Sequence, residues 1–203
     1  MTVESWGERE CTDEGFEDRE WPEIEMTRCR FTRCRFQGAH LSEGRIRDCR
    51  FEECDFSHAR MNATEWVASS FSNCVFAGAN LFLARFENCR LLGASFAEAE
   101  LGGLTIIGGD WSWSSLRHQD LAGQNFKGVK LVGADLYGAN LKKADLRKAD
   151  LTEVSLDQAL LAGADLRGAT LDKVDLKGLD LRGVRMDMAQ TVLLAQCYGI
   201  KVG

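Results

Sequence analysis

The sequence predicts an all-β solenoid built on a five-residue period and closed at its C-terminal end by a short α-helix. Three observations predict it. Every fifth residue from Phe16 to Met186 is Leu, Phe, Met, Ile or Trp, without exception over 35 positions. A second column, two residues earlier, runs over 33 positions from Ile24 to Val184 and holds mostly Ala, Cys, Val and other small residues, with Gln119 and Gln124 its only large polar members. Like residues also recur at intervals of 20: Phe16, Phe36, Phe56, Phe76 and Phe96 are continued by Leu116, Leu136, Leu156 and Leu176, and Phe31, Phe51 and Phe71 form a second series.

A period of five matches neither the 3.6 of a helix nor the 2.0 of a strand. Two inward residues separated by one outward residue make a short extended side, and the next two residues, mostly polar or Gly, turn the corner. Four sides close a coil, and stacked coils pair as parallel strands about 4.8 Å apart. In such a stack each coil is stabilised mainly by its neighbours. Residues 1–13 are polar and acidic and are expected to form a loose N-terminal segment. The repeat then occupies 14–186, and 187–203 form a helical tail. Between them, the glycines of 102–109 and the two glutamines predict a loosened coil over 102–125, with no domain boundary.

In the tail MDMAQTVLLAQCYGIKVG, Asp187 followed by Gln190 has the form of a capping box, and Gly199 is placed to end the helix. A solenoid end exposes unpaired strand edges and core, so the tail must cover it. A simple cap accounts for part of its apolar surface. Met188, Val192, Leu193, Leu194, Tyr198 and Ile200 exceed what one cap needs, and the favoured expectation is a homodimer joined end to end through them.

Composition narrows the function. The 203 residues are 45% hydrophobic and 28% charged, with a net charge of -6. The acidic balance argues against direct nucleic-acid binding and against anionic lipid. No apolar run reaches the roughly 18 residues of a membrane span, and the start lacks a signal-peptide pattern, so a cytoplasmic protein is expected. Six of the eight cysteines, Cys29, Cys34, Cys49, Cys54, Cys74 and Cys89, fall in the small inward column, where a free thiol acts as a small hydrophobe. Cys11 and Cys197 fall outside the repeat. The spacings match no common zinc motif. Only three histidines, His40, His58 and His118, are present. There is no phosphate-binding glycine loop and no HExxH or CxxC. Neither catalysis, a metal nor a cofactor is expected.

The run ADLYGANLKKADLRKADL at 134–151 has the A(D/N)LXX pattern, and across about residues 14–186 the chain resembles the pentapeptide-repeat family. The resemblance implies a right-handed quadrilateral β-helix. The absence of a loop insertion, Phe early and Leu late, and the apolar tail helix make it look most like the MfpA-like branch of mycobacterial quinolone-resistance proteins. Members of that branch are homodimers that bind DNA gyrase by imitating DNA. The implied function is binding to gyrase, including the gyrase B ATPase region, with modulation of supercoiling and protection against fluoroquinolones.

Charge arithmetic refines this. Over about nine coils the net charge gives only about a quarter of the density of B-DNA, so any mimicry must be local. The side carrying Phe16 and Phe36 has a net charge of -5, the Leu41 side -1, the Phe31 side 0 and the Ile46 side +2. Glu98, Asp135, Asp157 and Asp175 on the acidic side, extended by Glu100, Asp120 and Asp180 on the adjacent one, are the candidate partner-binding strip. Lys142, Lys143, Arg147 and Lys148 form a basic band that simple mimicry does not explain. The competing reading is an adaptor rod presenting another patch to a protein other than a topoisomerase, with Trp113, Phe82, Leu83, Leu92 and Ile107 at outward positions.

Overall fold

Most pentads of the chain pair in parallel with the pentad 20 residues further on, and the coils so formed stack as a quadrilateral β-helix. This computed structural model describes residues 4–201. On the Ile46 side, β1 (Ser5–Gly7), β3 (Glu25–Thr27), β5 (Arg45–Arg47), β7 (Glu65–Val67), β9 (Arg85–Glu87) and β10 (Thr105–Ile107) form a six-stranded sheet in that order. On the Phe31 side, β2 (Glu10–Thr12), β4 (Arg30–Thr32), β6 (Arg50–Glu52) and β8 (Ser70–Ser72) form a second. The other two sides, and most of the chain beyond β10, pair only through single bridges such as Arg35↔Asp55 and Asp135↔Ser155.

The inward columns make one continuous core. Phe31, Phe51 and Phe71 stack face to face at 4.9 and 5.0 Å, nearly parallel. Phe36, Phe56, Phe76 and Phe96 do the same at 4.8 to 5.1 Å. The two ladders meet edge to face, as between Phe51 and Phe56 at 70°. In-register coils impose the first arrangement, and the aromatic quadrupole favours the second.

The coil begins before residue 14, which corrects the loose segment expected over 1–13. Trp6 and Cys11 continue the central column by two pentads. Trp6 packs against Phe16, Trp21 and Phe31, Arg9 lies over its ring, and Cys11 is buried. The polarity of this stretch belongs to outward positions, where Glu8, Glu10 and Asp13 pair with Arg28, Arg30 and Arg33 of the next coil. Residues 1–3 of that expected segment lie outside the described residues.

The corners explain the small column. The last residue of every pentad from Glu8 to Gly183 has a positive φ, as a tight reversal requires. At the narrow corners the following small residue donates its amide three residues back, as Ala39 does to Phe36 and Ala59 to Phe56. At the wider corners after the strands Cys or Ser replaces Ala. There the Cys29 amide donates to Cys49 Sγ at 3.3 Å and the Cys49 amide to Ser69 Oγ at 3.2 Å. The sulfur therefore fills a larger corner and also accepts a hydrogen bond. Burial pushes the Cys34 and Cys89 thiols up to about 11 and Cys49 to about 12, so at neutral pH they are protonated and poor nucleophiles.

The loosened coil lies where the sequence places it. The bridge series that joins Asn80 to Glu100 does not continue from Glu100 to Asp120, and β10 has no partner at Asn125. The amides of Glu98, Leu101, Gly103, Ile106 and Gly108 lack the next-coil acceptors that their counterparts in neighbouring coils have. Gln119 stands between Ala99 and Ala139 in its column, and Leu104 and Gln124 stand between Ala84 and Ala144 in theirs, so larger side chains form a wedge between these coils. Amide hydrogen exchange is therefore expected to be faster at Leu101, Gly103, Ile106 and Gly108 than across 131–151. Equal protection would show that the wedge does not loosen the stack.

At the C-terminal end, α1 (Met188–Cys197) has the reciprocal capping box between Asp187 and Gln190. Gln190 is buried, and its Nε2 donates to the carbonyls of Leu166 and of Ala169. Leu193 and Leu194 pack on the core. These contacts make the tail a cap. Met188, Tyr198 and Ile200 stay exposed and Val192 half-buried, so the six apolar residues divide between covering this chain and facing outward. Cys197 is half-buried beside Val174.

Candidate functional site

The seven acidic candidates occupy one side of the rod and its neighbouring side, but they are not equivalent. The Asp or Asn before the central Leu has a local structural role, because its Oδ1 accepts the amide two residues on. Asp120 binds the Ala122 amide, Asp135 that of Tyr137, Asp175 that of Lys177 and Asp180 that of Arg182. This Asx turn holds the corner and is the physical reason for the D/N of the pattern. Glu98, Glu100 and Asp157 have no such bond among the described residues. Their carboxylates are fully available to a partner.

Ion pairing separates the group further. Arg117 donates to Asp135 at 2.7 Å while lying over the Tyr137 ring at 4.3 Å. Arg182 makes a fork with Asp180 and holds its carboxyl down to about 2. These two are half-buried, with their charge largely cancelled. Glu98, Glu100, Asp120, Asp157 and Asp175 are exposed and form no ion pair among the described residues. Asp120 also accepts the Asn140 side-chain amide at 2.8 Å. The structure thus brings five unpaired carboxylates to two adjoining sides and sets Arg117 among them. Arg117 and Tyr137 were not among the sequence candidates, although their spacing of 20 residues at the same pentad position marks them as stacked neighbours.

Where the coils part at Glu98, a recess of about 400 Å³ opens, lined by Ala97, Glu98, Ser115, Arg117, His118 and Gln119. Gln119 crosses the gap and donates to the Phe96 carbonyl at 2.8 Å. Among the described residues no group of three or more His, Cys, Asp or Glu could hold a metal ion, and no helix is long and apolar enough to cross a membrane.

The apolar outward residues form separate patches. Trp113 is 57% exposed with a positive φ, and its ring occupies the space over Gly133 that a Cβ would fill. Phe82 and Leu83 lie in the same way over Gly102 and Gly103. Trp113 shares this left-handed corner with 22 other non-Gly residues, so its exposure and its place over Gly133, and not its backbone, set it apart.

Comparison with known proteins is consistent with this geometry. The family model described as "Pentapeptide repeat region" matches residues 24–85, and "Pentapeptide repeats (8 copies)" matches 112–147 and 149–187. Together they span about two thirds of the chain. Trypsin-treated QnrB1, described as a plasmid-mediated fluoroquinolone resistance protein, superposes with a TM-score of 0.87 at 23% identity, covering 98% of this chain and 99% of that one. Full-length QnrB1 gives a TM-score of 0.58 at 21% identity, covering 94% and 100%. At these identities the likeness establishes the fold. No curated protein matches the sequence significantly.

Proposed function

The chain belongs to the pentapeptide-repeat family, and from that premise we propose that it is a cytoplasmic, non-enzymatic homodimer that binds DNA gyrase in place of DNA, modulates supercoiling and protects against fluoroquinolones. The observation that carries the reading is the set of unpaired carboxylates Glu98, Glu100, Asp120, Asp157 and Asp175 on adjoining sides of a rigid rod. A protein surface that holds DNA is lined with Lys and Arg, and such a strip presents it with fixed negative charge. The likeness in fold to QnrB1, a fluoroquinolone resistance protein, supports the same reading. In the dimer, Met188, Tyr198 and Ile200, exposed on one chain, meet their equivalents on the second, with Val192 at the edge of the contact. Leu193 and Leu194 support α1 from beneath. The strip then runs across both chains towards the gyrase B ATPase region.

The test is inhibition of gyrase supercoiling by the purified protein at fixed salt, with linear DNA added as competitor. Inhibition that excess DNA relieves is the expected result. Absence of inhibition at micromolar protein, with the dimer verified, rejects the gyrase assignment. A second reading, an adaptor for another protein, is favoured by Trp113 alone, whose exposed ring is anchored over Gly133. It requires that Trp113→Ala abolish partner binding while reversal of the acidic strip leaves it intact.

A further inference from the structure

The basic residues of the first coils are arranged differently from those of the last. In the first coils several Arg face an acid in the adjacent coil, Arg28 with Glu8, Arg30 with Glu10, Arg33 with Asp13 and Arg45 with Glu25, although Arg30 also stacks on Arg50. On the Ile46 side of the last coils, Lys127, Arg147 and Arg167 occupy the same pentad position in three consecutive coils. Cations so stacked repel one another, and the Asp145 and Asp165 carboxylates beside Arg147 and Arg167 offset that repulsion. The acids there are engaged mainly within their own coil, with Arg147 Nε also 4.0 Å from Asp165 of the next coil. Arg147 makes a fork with Asp145 at 2.8 and 2.6 Å, and Arg167 makes one with Asp165 at 2.9 and 2.6 Å. Each fork uses Nε and Nη2, so Nη1 of both guanidiniums makes no hydrogen bond among the described residues.

Beside these forks lies a recess of about 300 Å³, lined by Lys143, Ala144, Asp145, Arg147, Gly163, Asp165, Arg167 and Arg185. Lys143 bounds it on one side and Arg185, two coils or about 10 Å further along the rod axis, on the other. Neither forms an ion pair among the described residues. Gly163 has no side chain to fill the space between them. The two forks cancel their own charges, so Lys143 and Arg185 leave the recess with a net positive charge, and Arg147 and Arg167 add free donors fixed by their aspartates. Held on rigid coils, such donors need little reordering to bind. Planar guanidiniums with a point-charged ammonium are the set that suits phosphate oxygens.

We propose that this recess, on the side opposite Glu98, Asp157 and Asp175 and adjoining the side that carries Glu100, Asp120 and Asp180, is a binding site for a small ligand bearing two or more linked phosphate groups, bridged between Lys143 and Arg185 and oriented by Arg147 and Arg167. The site accounts for Lys143 and Arg147 of the basic band, and it stands independently of gyrase binding.

The test is calorimetric titration of the full-length protein with inorganic tripolyphosphate at constant ionic strength, with sulfate as the comparison anion. A saturable site with one ligand per chain, tighter than for sulfate, is expected. Lys143→Ala and Arg185→Ala should each weaken it about tenfold, with melting temperatures unchanged. Lys177→Ala, on the acidic side, should have no effect. Binding that does not saturate, that survives in the Lys143→Ala, Arg185→Ala double variant, or that falls equally in Lys177→Ala would overturn the proposal. So would a short DNA duplex that binds with the same variant pattern while tripolyphosphate does not, because the site would then read a nucleic-acid backbone.

Discussion

Phe51→Ala is expected to lower the unfolding free energy by about 4 kcal/mol, within the range for deleting a buried aromatic ring. Phe51 is 1% exposed and touches more rings than its neighbours in sequence suggest. It stacks on Phe31 and Phe71, and meets Phe36, Phe56 and Trp66 edge to face. The void cannot be filled by collapse, because the backbone hydrogen bonds between successive coils hold the stack at its own spacing. In a solenoid the loss should also be directional: coils before residue 51 depend on the stack behind it. Denaturant unfolding of Phe51→Ala should show early loss of Trp6 and Trp21 fluorescence, ahead of the loss of β-structure in the rest of the rod. Phe51→Leu, which keeps most of the volume, should cost less than half as much. A change below about 1 kcal/mol, with both signals coincident, would mean that the ring stack does not couple the coils.

That prediction rests on a core legible from the sequence, since an inward column of one residue type at a fixed interval specifies what must stack. The period also located the loosened coil, because Gln119 and Gln124 break a column of small residues. What the period could not distinguish is the kind of corner. Ala and Cys look alike as small inward residues, yet Ala39 closes a narrow turn and Cys49 serves as a hydrogen-bond acceptor in a wider one. The N-terminal boundary was missed for a related reason. Trp6 and Cys11 lie on the central column, but the charged residues around them gave the segment a polar average, and only the next coil supplies the arginines that neutralise them.

The candidate site was legible as a side of the rod and not as individual residues. Sequence arithmetic counts Asp135 and Asp157 alike. In the structure, one carboxylate closes a turn and is paired with Arg117, whereas the other is exposed and unpaired. Pairing depends on where a long Arg side chain lies across neighbouring coils, and the spacing of 18 residues between Arg117 and Asp135 is one that a 20-residue ladder does not suggest. The same distinction makes a quantitative test of the proposed function possible, because the turn-forming role of each Asp can be separated from its charge.

Reversal of two unpaired carboxylates, Glu98→Lys with Asp157→Lys, is expected to raise the half-inhibitory concentration against gyrase about a hundredfold, or about tenfold for each site placed against a basic groove. Neither side chain holds a turn, so the coil should keep its melting temperature. Asp135→Asn is the informative comparison. Asn retains the acceptor for the Tyr137 amide and removes only a charge already paired with Arg117, so its effect should stay within about threefold. Asp180→Asn should behave in the same way. Raising the salt from about 50 to about 200 mM should weaken the parent protein more than the double variant, since fewer counterions are displaced when fewer charges meet. Inhibition unaltered in the double variant would reject the acidic strip as the contact. If Trp113→Ala then abolished it, the contact would lie on the apolar corner over Gly133, and charge on the rod would serve solubility.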